Sequence, residues 1–195
     1  MINYVILGVS AILFILYILK IRKEQFTTKK MVTVAMFSAI SFVLYLIEFI
    51  KFPQGGGITL FSMLPTMLLS ILYGNTLGLT SGILFGLLKL LNGATIVNPA
   101  QFLLDYIFAT MALGLAGTFG NDNKIKIGLG SLMAVVLSVF VNVLSGAVYF
   151  GQYAPKGMNV WLYSFMYNIS YAGVEGALCI ILLLVLPIKR LKINK

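Results

Sequence analysis

The chain has 195 residues, of which 60% are hydrophobic and 10% are charged. This composition excludes an ordinary soluble globular domain and indicates an integral membrane protein. The net charge of +9 comes from basic residues that cluster at the ends of apolar segments, where they orient a chain in the bilayer rather than bind nucleic acid.

About seven apolar segments approach the roughly 20 residues that a helix needs to cross a bilayer. They are residues 2–19, 31–50, 58–73, 76–91, 100–119, 127–150 and 160–186. Only Gly74 and Asn75 separate the third segment from the fourth, which predicts a tight helical hairpin. The first segment lacks the basic region and the cleavage site of a signal peptide, so it is predicted to be a retained helix. We therefore predict an all-α integral membrane protein with a six-helix core preceded by one additional N-terminal transmembrane helix.

The basic residues predict how the chain lies in the cell membrane. If the chain crosses seven times, Lys51 and Lys156 fall on one side, and Lys89 lies inside the fourth segment. The remaining basic residues fall on the opposite side: Lys20, Arg22, Lys23, Lys29, Lys30, Lys124, Lys126, Lys189, Arg190, Lys192 and Lys195. Because loops rich in Lys and Arg stay in the cytoplasm, the C-terminus is predicted to be cytoplasmic and the N-terminus extracellular.

Polar residues within the predicted spans lie at similar depths. At 1.5 Å per residue, Asp105 lies roughly 8 Å and Asn142 on the order of 12 Å below the outer edge of the membrane. Tyr163 and Asn168 lie one to two turns into the last span from the same side, and Phe85 lies in the outer half of the fourth. Because polar groups inside a bilayer are costly, this convergence predicts a binding pocket that opens outward.

The residue types of this pocket indicate its ligand. A carboxylate, several aromatic faces and two amides fit a flat, cationic heterocycle, with Asp105 binding the positive charge and rings such as Phe150 stacking on it. An anionic ligand would call for arginine, and the chain has none between Arg22 and Arg190. The chain has no histidine, which removes the commonest metal ligand and argues against a catalytic site.

A simpler role stays open for the aromatic residues. Tyrosine and tryptophan gather at membrane interfaces, and an interfacial belt accounts equally well for any one of four of them. These four are Tyr149, Tyr153, Trp161 and Tyr163. The belt does not account for Asp105.

Two other features fit a binding protein. The PQGGG run at 53–57, which includes Gly56, predicts a flexible or closely approaching loop over the pocket, although an ordinary reverse turn is the alternative. Ala35 and Ala39 form a small-xxx-small pair in the second segment, which lets another helix approach its backbone closely.

Four stretches carry a resemblance to a known family: FPQGGGITLFSMLP, GLTSGILFGLL, NPAQFLLDYIFATMALGLAGTF and SGAVYFGQYAPKGMNVWLYSFMYN. In this order and spacing, residues 31–186 resemble the thiamine-specific substrate-binding (S) components of energy-coupling factor transporters. The resemblance leaves the first helix outside. It divides the chain into an extra helix with a basic linker (1–24), a six-helix substrate-binding core (25–190) and a basic tail (191–195).

The resemblance implies high-affinity capture of thiamine from the outside. In that family the S component then associates, within the lipid bilayer, with a transmembrane coupling subunit and two ATPase subunits that power release. This chain has no G-x-x-x-x-G-K-[ST] phosphate loop, so it is expected to be a binding subunit without enzyme activity and without a cofactor or metal.

The resemblance also implies which residues bind. Ala35 and Ala39 match the pair that docks on the coupling subunit, and Asn142 stands where members of the family carry His. The residues expected to contact the substrate are Phe85, Asp105, Tyr106, Asn142, Phe150, Tyr163, Asn168 and, in the glycine-rich loop, Gly56.

Other hypotheses stay open. One is an S component for a thiamine precursor or analogue, a pyrimidine or a thiazole. A stand-alone secondary transporter would need coupled ion sites and often shows inverted repeats. An intramembrane enzyme would need paired catalytic groups, and a membrane scaffold would need no outward cluster of polar residues.

Overall fold

The order of helices and strands follows the predicted spans, with one insertion. The computed structural model describes residues 2–53 and 55–191. Gln54 of the glycine-rich loop and residues 192–195 of the predicted basic tail lie outside these ranges. The helices within them are α1 (Ile2–Ile21), α2 (Thr28–Tyr45), α3 (Met63–Tyr73), α4 (Asn75–Lys89), α5 (Pro99–Leu113), α6 (Lys124–Tyr149), α7 (Val160–Val185) and the short α8 (Ile188–Leu191).

Four of these helices, α1, α2, α6 and α7, are long and apolar enough to cross a membrane by length and composition. In contrast, α3 has 11 residues and α4 has 15, which correspond to about 16 Å and 22 Å at 1.5 Å per residue. A full crossing needs about 30 Å. Where α3, α4 and α5 stop short, loops take over, and irregular backbone at membrane depth is tolerated where it lines a cavity.

The inserted element is a two-stranded antiparallel sheet that was not predicted from the sequence. Strand β1 (Glu48–Lys51) pairs with β2 (Gly57–Thr59), with Ile50 opposite Ile58. The predicted second span, 31–50, was therefore wrong at its end, and the third, 58–73, was wrong at its start. Short apolar runs fit a strand as well as a helix, so hydropathy alone did not separate them.

The fifth predicted span was also too long. Helix α5 ends at Leu113 rather than at residue 119, and turns follow from Gly114 onward. The starts of α5, α6 and α7 are set by asparagine caps. Asn98 accepts a hydrogen bond of 2.9 Å from the backbone N–H of Ala100, with Pro99 at the first helical position. Asn123 and Asn159 cap α6 and α7 in the same way.

A row of glycines brings α4 and α5 into backbone contact. Gly78, Gly82 and Gly86 recur every four residues on one face of α4. A Cβ atom at Gly86 would lie 1.6 Å from the carbonyl oxygen of Tyr106, and one at Gly82 would lie 2.4 Å from that of Thr110. The absence of a side chain at these positions therefore allows α5 to pack directly on α4.

Helices α5 and α7 each contain a π-helical segment, Leu103–Phe108 in α5 and Ile169–Gly173 in α7. Such segments hold an extra residue per turn and frequently occur at functional sites. The main apolar core lies beyond them, towards the C-terminal ends of α5 and α7 and the first half of α6. Its buried members include Met67, Leu113, Ala134, Val135, Cys179 and Leu183.

Candidate functional site

A cavity of about 260 Å³ lies between the sheet, α4, α5, α6 and α7. Its volume is close to the lower end of the roughly 300–1,000 Å³ of small-molecule sites. Every residue predicted to contact a substrate lies on its wall: Gly56, Phe85, Asp105, Tyr106, Asn142, Phe150, Tyr163 and Asn168. The fold therefore brings together the residues that the sequence pattern had grouped.

Asp105 lies on the π-helical segment of α5, and its carboxylate is held by a neighbour on the same helix. Gln101, which is 1% exposed, donates a hydrogen bond of 2.6 Å from Nε2 to Oδ2 of Asp105. The same amide donates to the carbonyl oxygen of Thr95 and accepts from the N–H of Val97. Gln101 therefore fixes both the carboxylate and the loop that precedes α5.

A lysine lies among three rings on the wall formed by α2, α4 and α5. Nζ of Lys89 lies 5.2 Å from the ring centroid of Tyr45, 5.9 Å from that of Phe85 and 5.8 Å from that of Tyr106. No carboxylate oxygen in the described part of the chain lies within 4 Å of this ammonium group. These aromatic faces are thus arranged to attract a cation.

The wall formed by α6 carries Asn142 and Phe150. Phe150 follows directly after the last residue of α6, and its ring stacks against Tyr153 with centroids 6.4 Å apart and planes at 22°. The carbonyl oxygen of Asn142 accepts a weak hydrogen bond of 3.4 Å from Nδ2 of Asn168, which connects α6 to α7.

The amide of Asn168 is used within the protein. Its Nδ2 donates to the carbonyl oxygen of Ser164 at 2.9 Å, and its Oδ1 accepts from the hydroxyl of Tyr171 at 2.8 Å. Asn168 is buried. It lines the cavity, and through its bond to the hydroxyl it also positions Tyr171. Tyr163 lies one turn earlier on α7, with its ring centroid 5.9 Å from that of Tyr167.

The glycine-rich loop between β1 and β2 lies against α7. The hydroxyl of Tyr167 donates a hydrogen bond of 2.9 Å to the carbonyl oxygen of Gly55. The ring of Phe52 lies 5.5 Å from the rings of both Tyr167 and Tyr171. Gly56 has a φ of +77°, and a Cβ atom there would lie 2.6 Å from the ring of Tyr171. Glycine therefore lets the loop close tightly on the cavity.

A buried carboxylate joins the sheet to α7. Glu175 is 2% exposed and accepts hydrogen bonds from the backbone N–H of Thr59 at 2.9 Å and from the Thr59 hydroxyl at 2.8 Å. The hydroxyl of Ser62, just before α3, donates to the same carboxylate at 2.8 Å. Glu175 thus holds β2 and the start of α3 against α7.

Several residues of this site were not predicted from the sequence. Gln101 carried a usable signal, because Gln and Asp four residues apart on a helix are placed to hydrogen-bond. Tyr167 and Tyr171 also carried a signal, because they follow the predicted Tyr163 at intervals of four residues, which puts all three on one face of α7. Tyr45 carried no such signal, because its place beside Lys89 depends on how α2 packs on α4.

The two small residues of the predicted docking pair lie away from the cavity. Ala35 and Ala39 are both exposed on α2, whereas Val34, Ser38 and Ser41 of the same helix are buried against the rest of the bundle. The outward face of α2 is therefore free of other described parts of the chain at these two positions.

This fold and this cavity define a helical membrane protein with an internal cavity that is lined by a carboxylate and several aromatic rings. The model of the thiamine transporter protein family matches residues 31–195. The chain therefore belongs to the thiamine transporter family, as its sequence motifs predicted. The family is one of transporters rather than of enzymes.

Individual relatives agree with this membership. The thiamine transporter ThiT of Bacillus subtilis (strain 168) is 36% identical over 174 residues, which cover 80% of this chain and 89% of the relative. ThiT of Lacticaseibacillus paracasei is 30% identical over 142 residues, 65% of this chain and 71% of the relative. A solved structure of ThiT from Listeria monocytogenes has a TM-score of 0.67 and 25% identity, covering 79% of this chain and 92% of that one.

Proposed function

We propose that this protein captures thiamine from outside the cell and delivers it for uptake as the S component of an energy-coupling factor transporter. The observation that carries the proposal is the cavity in which Asp105 and the rings of Phe85, Tyr106, Phe150 and Tyr163 meet, in a chain of the thiamine transporter family.

The chemistry of thiamine fits this wall. Its thiazolium ring is a permanent cation, for which the Asp105 carboxylate supplies a counter-charge and the aromatic rings supply electron-rich faces. Its aminopyrimidine ring has hydrogen-bond donors and acceptors, which Asn142 and Tyr163 are assigned to bind. Asn168 and Gly56 are assigned supporting roles: the first orients Tyr171, and the second lets the loop close over the ligand.

The same arrangement supports the proposed direction of transport. The cavity lies at the end of α6 that carries Phe150, and Asn3 of α1 lies at this end too, because the Tyr149 hydroxyl donates to its Oδ1 at 2.8 Å. With the basic linker 22–27 and the C-terminus in the cytoplasm, this end faces outward. Thiamine then enters from the extracellular side.

Release into the cell is assigned to partner subunits. The chain has no phosphate loop of its own. Ala35 and Ala39 present a small-residue surface on α2 that suits close docking of a helix from a transmembrane coupling subunit, to which two ATPase subunits attach. Large apolar side chains are exposed elsewhere on α1, α2, α6 and α7, and we assign them to contact with lipid.

Three measurements test this function. The tagged protein, purified from its native membranes, is expected to bring down a coupling subunit and ATPase subunits, and in detergent alone to bind thiamine saturably. In liposomes, uptake of radiolabelled thiamine is expected to require the partners and ATP. Uptake by the isolated chain along an ion gradient would instead establish a secondary transporter, and tighter binding of a pyrimidine or thiazole half-molecule would change the assigned substrate.

A further inference from the structure

Helix α1 lies outside the region matched by the family model, which begins at residue 31. Its contacts with the rest of the protein nevertheless follow a regular line. The residues of α1 that are buried or half-buried are Asn3, Ile6, Ser10, Phe14, Tyr17 and Ile21. Their spacings of three and four residues are those of a helix that packs along one seam. A helix held only by lipid would show no such line.

The apolar residues of this seam contact the π-helical segment that carries Asp105. Ile6 packs with Ala100 and with Leu104, a member of that segment. The ring of Phe14 lies 5.3 Å from the ring of Phe108, the last residue of the segment. Helix α1 therefore covers α5 on the side opposite to the cavity.

Polar pairs fix α1 at both ends of the seam. Near its start, Asn3 accepts the hydrogen bond from Tyr149 of α6. Near its end, the hydroxyl of Tyr17 lies 2.9 Å from Oγ1 of Thr80 in α4. Polar groups in the hydrocarbon region need partners, so these two bonds define one position and one rotation of α1 against the bundle.

In a π-helix each backbone hydrogen bond joins residues five apart, whereas in an α-helix it joins residues four apart. The π form is the rarer of the two, so a π-helical segment depends on the packing around it. On one side, the glycine face of α4 holds α5 through backbone contact at Tyr106 and Thr110. On another side, Ile6 and Phe14 pack on Leu104 and Phe108. Asp105 lies between these supports.

We propose that α1 is a built-in brace of the substrate site: through Ile6 and Phe14 it holds the π-helical segment of α5, and with it Asp105, in the geometry that retains the ligand. The inference rests on the proposed function, because the ligand whose retention is measured is thiamine. Phe14 and Tyr17 are positioning residues, and neither of them lines the cavity.

The test compares full-length variants by the dissociation rate of radiolabelled thiamine in a chase with unlabelled vitamin. Phe14→Ala is expected to speed dissociation by roughly 5-fold or more while association changes little. Phe14→Leu is expected to restore most of the wild-type rate. The controls are Ile12→Ala and Leu16→Ala, whose side chains are 59% and 57% exposed on the face of α1 that points away from the seam. Both are expected to behave like the wild type.

A second set of variants keeps the test decisive if Phe14→Ala does not fold. Tyr17→Phe removes one hydroxyl, and Thr80→Val removes its partner. Each is expected to speed dissociation, and the double variant is expected to be no faster than either alone. A wild-type rate of thiamine dissociation in Phe14→Ala would overturn the proposed role of α1. If Phe14→Ala is unfolded, a wild-type rate in Tyr17→Phe would do the same. Failure of the wild type to bind thiamine at all instead overturns the proposed function.

Discussion

Gln101 donates a hydrogen bond of 2.6 Å to the carboxylate of Asp105, one helical turn further along α5. The remaining groups of the Gln101 amide bind Thr95 and Val97, so the orientation of the acid is tied to the loop at the start of the helix. The carboxylate on which the proposed ligand depends is thus placed by a buried residue rather than left free to rotate.

Replacing Gln101 by methionine keeps the length of the side chain and removes all three hydrogen bonds. We expect thiamine binding to weaken by about 1.5–3 kcal/mol, since a hydrogen bond to a charged group contributes about that much. Isothermal titration calorimetry measures the change. Gln25→Met, at an exposed position in the linker before α2, is the matched control. An unchanged dissociation constant in Gln101→Met would show that Asp105 needs no such support.

The ammonium group of Lys89 shares its cavity with the cationic ligand that we propose. Lys89→Met removes this like charge and is expected to tighten thiamine binding by about 1 kcal/mol, an effect that added salt should change little because the two charges lie inside the cavity. Lys156→Met, in the loop between α6 and α7, serves as the control for net charge. Weaker binding in Lys89→Met would mean that the lysine binds the ligand directly.

The contact of Glu175 with Thr59 and Ser62 is expected to stabilise the sheet over the cavity. Glu175→Gln leaves these donors with a poorer acceptor, so we expect the free energy of unfolding to fall by about 2–3 kcal/mol. Thiamine dissociation should become faster at the same time. Thermal unfolding in detergent and a thiamine chase measure the two effects.

A double-mutant cycle separates this contact from a general effect of the charge. Thr59→Val removes the hydroxyl that binds Glu175. If the contact matters, the losses of stability in Glu175→Gln and Thr59→Val should add to clearly more than the loss in the double variant. Full additivity would contradict a direct coupling between β2 and α7.

Helix packing at Gly86 is expected to be intolerant of any side chain. A methyl group there meets the carbonyl oxygen of Tyr106 at 1.6 Å, so Gly86→Ala must push α5 away from α4. We expect a loss of stability of about 1–3 kcal/mol or more, together with weaker thiamine binding. Gly8→Ala in α1, where no atom lies within 4 Å, is the matched control and should be neutral or slightly stabilising. Equal behaviour of the two variants would contradict the close packing.

The sequence predicted the helices and the members of the site better than it predicted their connections. Asp105 was recognisable because a carboxylate inside an apolar segment is costly and rare. Phe150 was recognisable because an aromatic ring at a similar predicted depth is placed to contact the same ligand as the carboxylate. The sheet at Glu48–Lys51 and Gly57–Thr59 was missed because its apolar residues extend neighbouring helical runs in hydropathy.

One further feature lies beyond residue type. The stretch Leu103–Phe108 has the apolar composition of an ordinary helix, and nothing in its residue types marks the π-helical form that the structure has. The contact between Asn168 and Tyr171 is different, because residues three apart on a helix are neighbours and this spacing was a usable signal.

The measurement that tests the role of the buried acid most directly is calorimetric titration of the detergent-solubilised protein with thiamine, for the wild type and for Asp105→Asn. We expect one thiamine per chain in the wild type and a loss of about 1.5–3 kcal/mol in Asp105→Asn, with Asp122→Asn unchanged. Wild-type affinity in Asp105→Asn would contradict the proposed site, because the negative charge of the cavity would then play no part in binding the vitamin.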